Sequence, residues 1–103
     1  MTKIINVLNS PRKGKRFRAI FEDGRKIDFG KLNPTYGTYI DHHDKKKRLA
    51  YWARHIRARG ERELIDNMIA SPALLSLALL WGKFPTMQEN IDYLNNEWEK
   101  WGG

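Results

Sequence analysis

Between Lys3 and Phe29 the apolar residues fall in short runs and alternations, whereas from Asp44 onward they recur every three or four positions. The first pattern is that of strands and the second that of helices. Ile4-Ile5-Asn6-Val7-Leu8 predicts a strand over 3–8, ended by Asn9-Ser10-Pro11 and a basic turn, Arg12-Lys13-Gly14-Lys15. Residues 16–22 and 25–29 flank Asp23-Gly24, a dipeptide that tolerates the positive φ angles of a two-residue type I′ turn, so they predict a β-hairpin. Such a turn pairs Glu22 with Arg25, setting Ile20 opposite Ile27 and Arg18 opposite Phe29, with Phe17, Ala19 and Phe21 on the other face. Both faces of that hairpin are then partly apolar. The stretch 30–39 contains Asn33-Pro34 and Gly37 and reads as a loop, with Thr38-Tyr39-Ile40 as a further short extended piece.

Asp44 is placed to cap a helix over 45–59, on which Leu49, Trp52 and Ile56 share a stripe. A second helix over 61–70 carries Leu64, Ile65, Met68 and Ile69. Ser71-Pro72 is a helix-start signal, and the helix it opens, 72–81, is apolar except at Ser76, which predicts a buried central element. Thr86-Met87-Gln88-Glu89 forms a capping box for a last helix, 87–100, with Met87, Ile91, Leu94 and Trp98 on one face. The fold class is therefore α+β: an N-terminal antiparallel hairpin or small sheet, then about four helices, in a single domain spanning 1–103.

Composition narrows the function classes. The chain has no cysteine, which removes disulfides, thiolate metal sites and a cysteine nucleophile. No apolar run approaches the roughly 20 residues needed to cross a bilayer, so a soluble intracellular protein without a membrane partner is expected. The net charge of +7 is unevenly spread. Residues 1–59 hold sixteen Lys and Arg against five Asp and Glu, and residues 60–103 hold three against seven. A basic half attracts polyanions, because neutralising phosphates releases condensed counterions.

One dense cluster has catalytic residue types: Asp41-His42-His43-Asp44, with His55 and Asp28 elsewhere. Two imidazoles and two carboxylates are ligand types for a divalent metal, as in small nucleases. Against this, adjacent residues of an extended chain point apart, and Asp44 is explained by capping alone. Ser71 and Ser76 sit in a cap and a core helix, and Gly24, Gly30 and Gly37 are spaced as turns with no phosphate-loop pattern. The expectation is a non-enzymatic protein with no catalytic residue, metal or cofactor.

The remaining candidate chemistry is basic. Lys13, Lys15, Arg16 and Arg18 run into the hairpin, Lys45, Lys46 and Lys47 open the first helix, and Arg54 and Arg57 continue it. Phosphate contacts from such residues bind a nucleic-acid backbone without reading sequence. Tyr36, Tyr39 and Tyr51 have rings suited to base stacking, although aromatics in a domain this small mostly pack. A run of lysines at a helix N-terminus opposes the helix dipole, a local cost that favours a functional reason over a merely solvated face.

The residues Phe21-Glu22-Asp23-Gly24-Arg25, Asp28-Phe29-Gly30, Thr38-Tyr39-Ile40-Asp41-His42, Asp44-Lys45-Lys46-Lys47-Arg48, Tyr51, Arg54-His55 and Leu79-Leu80-Trp81-Gly82-Lys83 resemble the pattern of a family of small basic proteins encoded by large DNA viruses of eukaryotes. The resemblance covers about residues 15–90 and implies a virion or genome-associated role, without catalytic residues. The same signature has a structural reading in which Asp23-Gly24 turns, Asp44 caps and Arg54 pairs with Asp28 or Asp41. The leading expectation is thus a non-specific nucleic-acid-binding protein acting in genome packaging. The alternative is a minor capsid-associated structural protein whose basic half meets acidic protein surfaces, with an apolar patch at Phe84, Trp98 or Trp101. A third is a metal-dependent nuclease using Asp41, His42, His43 and His55.

Overall fold

The computed structural model describes residues 2–32, 37–57 and 67–100. Three strands, β1 (Ile4–Asn9), β2 (Lys15–Phe21) and β3 (Lys26–Lys31), form an antiparallel sheet in that order. Among the described residues the helices are α1 (Tyr39–His42), α2 (Lys45–Arg57), α3 (Pro72–Leu75), which runs on as a π-helical turn (Ser76–Leu80), and α4 (Met87–Lys100). The α+β class expected from the sequence is the one observed, with strand ends displaced by one or two residues.

The hairpin joining β2 and β3 differs from expectation in its loop. Phe21 N–H donates to the Arg25 carbonyl at 2.9 Å and Gly24 N–H to the Phe21 carbonyl at 3.0 Å, so Glu22-Asp23-Gly24 is a three-residue loop. Gly24 takes the left-handed position at φ 91°, and the Asp23 carboxylate accepts Arg25 N–H at 3.0 Å, stabilising the turn from within. The register moves by one residue: Phe17 faces Phe29, Arg18 faces Asp28, Ala19 faces Ile27 and Ile20 faces Lys26. Because side chains alternate, this gathers Phe17, Ala19, Phe21, Ile27 and Phe29 on one face and leaves the other charged. Gathering those apolar side chains on one face outweighs the shorter turn.

β1 solves a related problem with a bulge. Ile4 pairs with Phe21 but Asn6 pairs with Ile20, so Ile5 is an extra residue. The bulge lets both Ile4 and Val7 face the core, and it turns Ile5 and Leu8 outward, where they are 59% and 47% exposed. Asn95 on α4 accepts from Ile4 N–H at 2.8 Å and donates to the Ile4 carbonyl at 2.9 Å. Its amide thereby pairs the start of this edge strand as a neighbouring strand would.

The helical layer covers the apolar face. Ile4, Ala19, Phe21 and Phe29 meet Leu74, Leu75, Leu79, Leu80, Ile91, Leu94 and Trp98 in one cluster. The starts of α2, α3 and α4 are capped as the sequence predicts: Asp44 Oδ1 accepts Lys46 and Lys47 N–H, Ser71 Oγ accepts Leu74 N–H, and Thr86 Oγ1 accepts Glu89 N–H. Asn90, 1% exposed, accepts Phe84 N–H and donates to the Leu79 and Phe84 carbonyls, closing the loop between the π turn and α4. A Cβ on Gly82 would collide with the Ala78 carbonyl and the Asn90 amide, so only glycine fits that close approach.

Two further expectations are revised, and a third is described only in part. Thr38-Tyr39-Ile40 is not extended: Thr38 N–H and Oγ1 both donate to Asp41 Oδ2, at 2.8 and 2.7 Å, and hold the chain in the short helix α1. Of the helix expected over 61–70, residues 61–66 lie outside the described residues. Asn67–Ala70 are not helical; Met68 has φ 53° and its carbonyl is taken by the Trp98 indole at 2.8 Å. The helix expected over 45–59 is described to Arg57, and 58 and 59 lie outside the described residues.

Candidate nucleic-acid interface

α2 docks through only part of its expected apolar stripe. Leu49, expected inside, is 63% exposed, while Arg48, Tyr51 and Trp52 face the Trp81–Gly82 turn. The Trp52 indole donates to the Trp81 carbonyl at 2.6 Å, Arg48 Nε donates to the Gly82 carbonyl at 2.7 Å, and the Tyr51 ring stacks on Trp81 at 4.3 Å. The Trp52 and Arg48 bonds each satisfy a carbonyl just beyond the π turn. The side chains of His55, Ile56 and Arg57 lie outside the described residues.

Two of the four arginines chosen from the sequence as phosphate contacts, Arg16 and Arg18, are held by carboxylates. Arg16 grips Asp41 through two bonds of 2.7 and 2.9 Å, and Arg18 grips Asp28 through two bonds of 2.9 and 3.1 Å. Asp28 also accepts the Ser10 hydroxyl at 2.7 Å. Hydrogen bonds from Arg18 and then Ser10 pull the Asp28 carboxyl down from 3.8 to about 2. Arg16, with Thr38 adding to it, holds the Asp41 carboxyl well below the ordinary range despite partial burial. Arg54, read from sequence as a partner for either aspartate, is exposed and lies over the Tyr51 ring at 5.8 Å.

The lysines are placed differently. Lys15 stands directly opposite Lys31 across the β2–β3 ladder, and Arg12 and Lys13 project from the turn beside them. Like charges directly opposed across a ladder repel, a local cost. Lys45, Lys46 and Lys47 are exposed on the first turn of α2. The Arg16–Asp41 pair ties these two groups together, since Arg16 follows Lys15 in β2 and Asp41 stands four residues before Lys45. Lys31 was missed in the sequence because the two-residue turn sets Leu32, not Lys31, opposite Lys15.

The Asp41-His42-His43-Asp44 cluster is committed to local structure. Asp41 binds Arg16 and Thr38, and Asp44 caps α2 with its carboxyl lowered by the Lys47 and Lys46 N–H groups. His42 Nδ1 accepts Asp44 N–H at 2.9 Å, which leaves Nε2 to carry the ring proton, a buried atom with no hydrogen-bond partner among the described residues. His43 takes the left-handed conformation, φ 58°, that ends α1. Among the described residues no three His, Asp or Glu side chains converge as metal ligands. Tyr39 is 6% exposed and Tyr51 is stacked on Trp81, so both pack, while Tyr36 lies outside the described residues. Trp98, named as part of an apolar docking patch, is 2% exposed; Phe84 packs edge-on against Tyr93 at 5.8 Å, and Trp101 lies outside the described residues. No described helix is long and apolar enough to cross a membrane.

Residues 5–55 are similar to a family described as a family of unknown function (DUF5754). The match runs from β1 into α2 and so contains both lysine groups and the Arg16–Asp41 pair that joins them. No curated protein and no solved structure matches the chain.

Proposed function

We propose that this chain binds nucleic acid without sequence preference, through phosphate contacts made by Lys13, Lys15, Lys31, Lys45 and Lys46, with Arg12, Lys47 and Arg54 at the margins. The observation that carries the reading is the two-bonded Arg16–Asp41 pair, which fixes the lysine-rich turn of the sheet beside the lysine-rich start of α2. Both groups bear a local electrostatic cost, across the ladder and at the helix N-terminus, that a bound polyanion would relieve. Arg16 and Arg18 act as braces for this surface, because their guanidinium forks already hold carboxylates. The resemblance to small basic proteins of large DNA viruses supports genome packaging as the setting.

The test is titration of the purified protein with a random-sequence duplex across a range of salt. Affinity should fall linearly with log salt, as counterion release requires. Absence of binding at low salt would overturn the reading and point the charge toward an acidic protein partner.

A further inference from the structure

Arg48 stands apart from the other arginines. Arg16, Arg18 and Arg25 each hold an aspartate, and Arg12 and Arg54 are exposed. Among the described residues Arg48 is the one half-buried arginine without a carboxylate partner. Among the described residues it makes one hydrogen bond, from Nε to the Gly82 carbonyl, and its guanidinium lies 5.8 Å from the Tyr39 ring and 5.2 Å from the Trp52 ring. Five donors in a planar fork are thereby held in place by packing, with four of them not taken by any described residue.

Arg48 also lines a groove of about 590 Å³ between α2, the π turn and α4. Its walls are Trp52, Leu74, Leu77 and Tyr93. That volume lies within the range of about 300–1,000 Å³ typical of small-molecule sites, and apolar walls with few convergent polar groups are their usual construction. The wall from Ser76 to Leu80 is the π-helical turn, closed by Trp81 N–H reaching the Ser76 carbonyl at 3.3 Å, a distortion common where helices serve a site. Lys83 adds a second cation on the rim, its Nζ 5.3 Å from the Tyr93 ring centroid. The one carboxylate in the lining, Glu97, sits one turn further along α4 than Tyr93 and is within 3.6 Å of Lys100.

We infer that this groove binds a small molecule with an apolar body and a single carboxylate, the body against Trp52, Leu77 and Tyr93 and the carboxylate on Arg48 and Lys83. The ligand supplies the anion that Arg16 and Arg18 find within the chain. The site is separate from the lysine surface and does not depend on nucleic-acid binding.

The probe is decanoate, with decanol as its neutral counterpart, followed by calorimetry and by NMR of the full chain. Decanoate should bind saturably, one per chain, shifting the Trp52 indole N–H and Leu77 methyl resonances, and decanol should bind at least about tenfold more weakly. Lys83→Gln should reduce that preference several-fold. Ala78→Phe, which fills the groove, should abolish decanoate binding while leaving duplex binding unchanged. No saturable binding, shifts confined to other surfaces, or equal affinity for decanol would each overturn the inference. The resonance map of the unaltered chain decides the matter even if the filled variant fails to fold.

Discussion

The two strands of β-hairpin chemistry in this protein, arginine and lysine, serve opposite ends. Along β2 the arginines face aspartates, with both carboxylates drawn down in pKa and each gripped through two hydrogen bonds. At the adjoining turn and at the start of α2 the lysines face solvent, and at Lys15–Lys31 they face each other. A planar fork matches a carboxylate and rewards a fixed geometry, whereas an ammonium on a flexible stem meets a phosphate from many directions. Arg16 and Arg18 thus hold the hairpin's structure, while the lysines around them are left to carry the charge.

That division is broken most severely at the structural cations. Arg48→Ala removes the bond to Gly82 and the packing on Trp52 and Tyr39, and should cost about 2–3 kcal/mol, read as a fall in thermal midpoint. The combined change Lys13→Glu, Lys15→Glu and Lys31→Glu should do the reverse. It should lower duplex affinity at least about tenfold at low salt while leaving the thermal midpoint within a few degrees.

Acid separates the two sets as well. Because the Asp28 carboxyl is lowered from 3.8 to about 2, its contribution to stability is fully present above pH 3.8 and is lost as the pH falls toward 2. Asp41 acts in the same direction. Asp28→Asn should therefore be less stable than the parent at neutral pH and should flatten the loss of stability between those pH values, measured by urea unfolding. The smallest effect is expected at the ladder: Lys15→Thr removes a like-charge pair and should raise stability by about 0.5 kcal/mol.

How far the sequence reveals this arrangement depends on the range of the interaction. Asp44, Ser71 and Thr86 are legible as caps because each acts on N–H groups two or three residues away. The boundaries of the last helix follow from the same local signals. The hairpin register was not legible, since Asp23-Gly24 suits a two-residue loop and a three-residue loop alike. Only the gathering of Phe17, Ala19, Phe21 and Phe29 under Leu75 and Trp98 selects the latter. Leu49 was misread for a similar reason: helical periodicity marks it as apolar but carries no sign that Trp52 and Arg48 would find the Trp81 and Gly82 carbonyls some thirty residues on. For the candidate surface, the sequence names most of the lysines. It omits Lys31, which the register supplies, and it counts Arg16 and Arg18 as presenting residues because the partners that occupy them, Asp41 and Asp28, are ten or more residues away.

The most direct test of the division is the salt dependence of duplex binding in two variants, Lys13→Gln with Lys15→Gln and Lys31→Gln, and Arg25→Gln alone. Each phosphate contact contributes about 0.9 to the slope of log affinity against log salt. The triple lysine variant should lose about 2–3 from that slope with its fold intact, and Arg25→Gln, whose guanidinium is held by Asp23, should leave the slope unchanged. Equal slopes for the parent and the lysine variant would contradict the account.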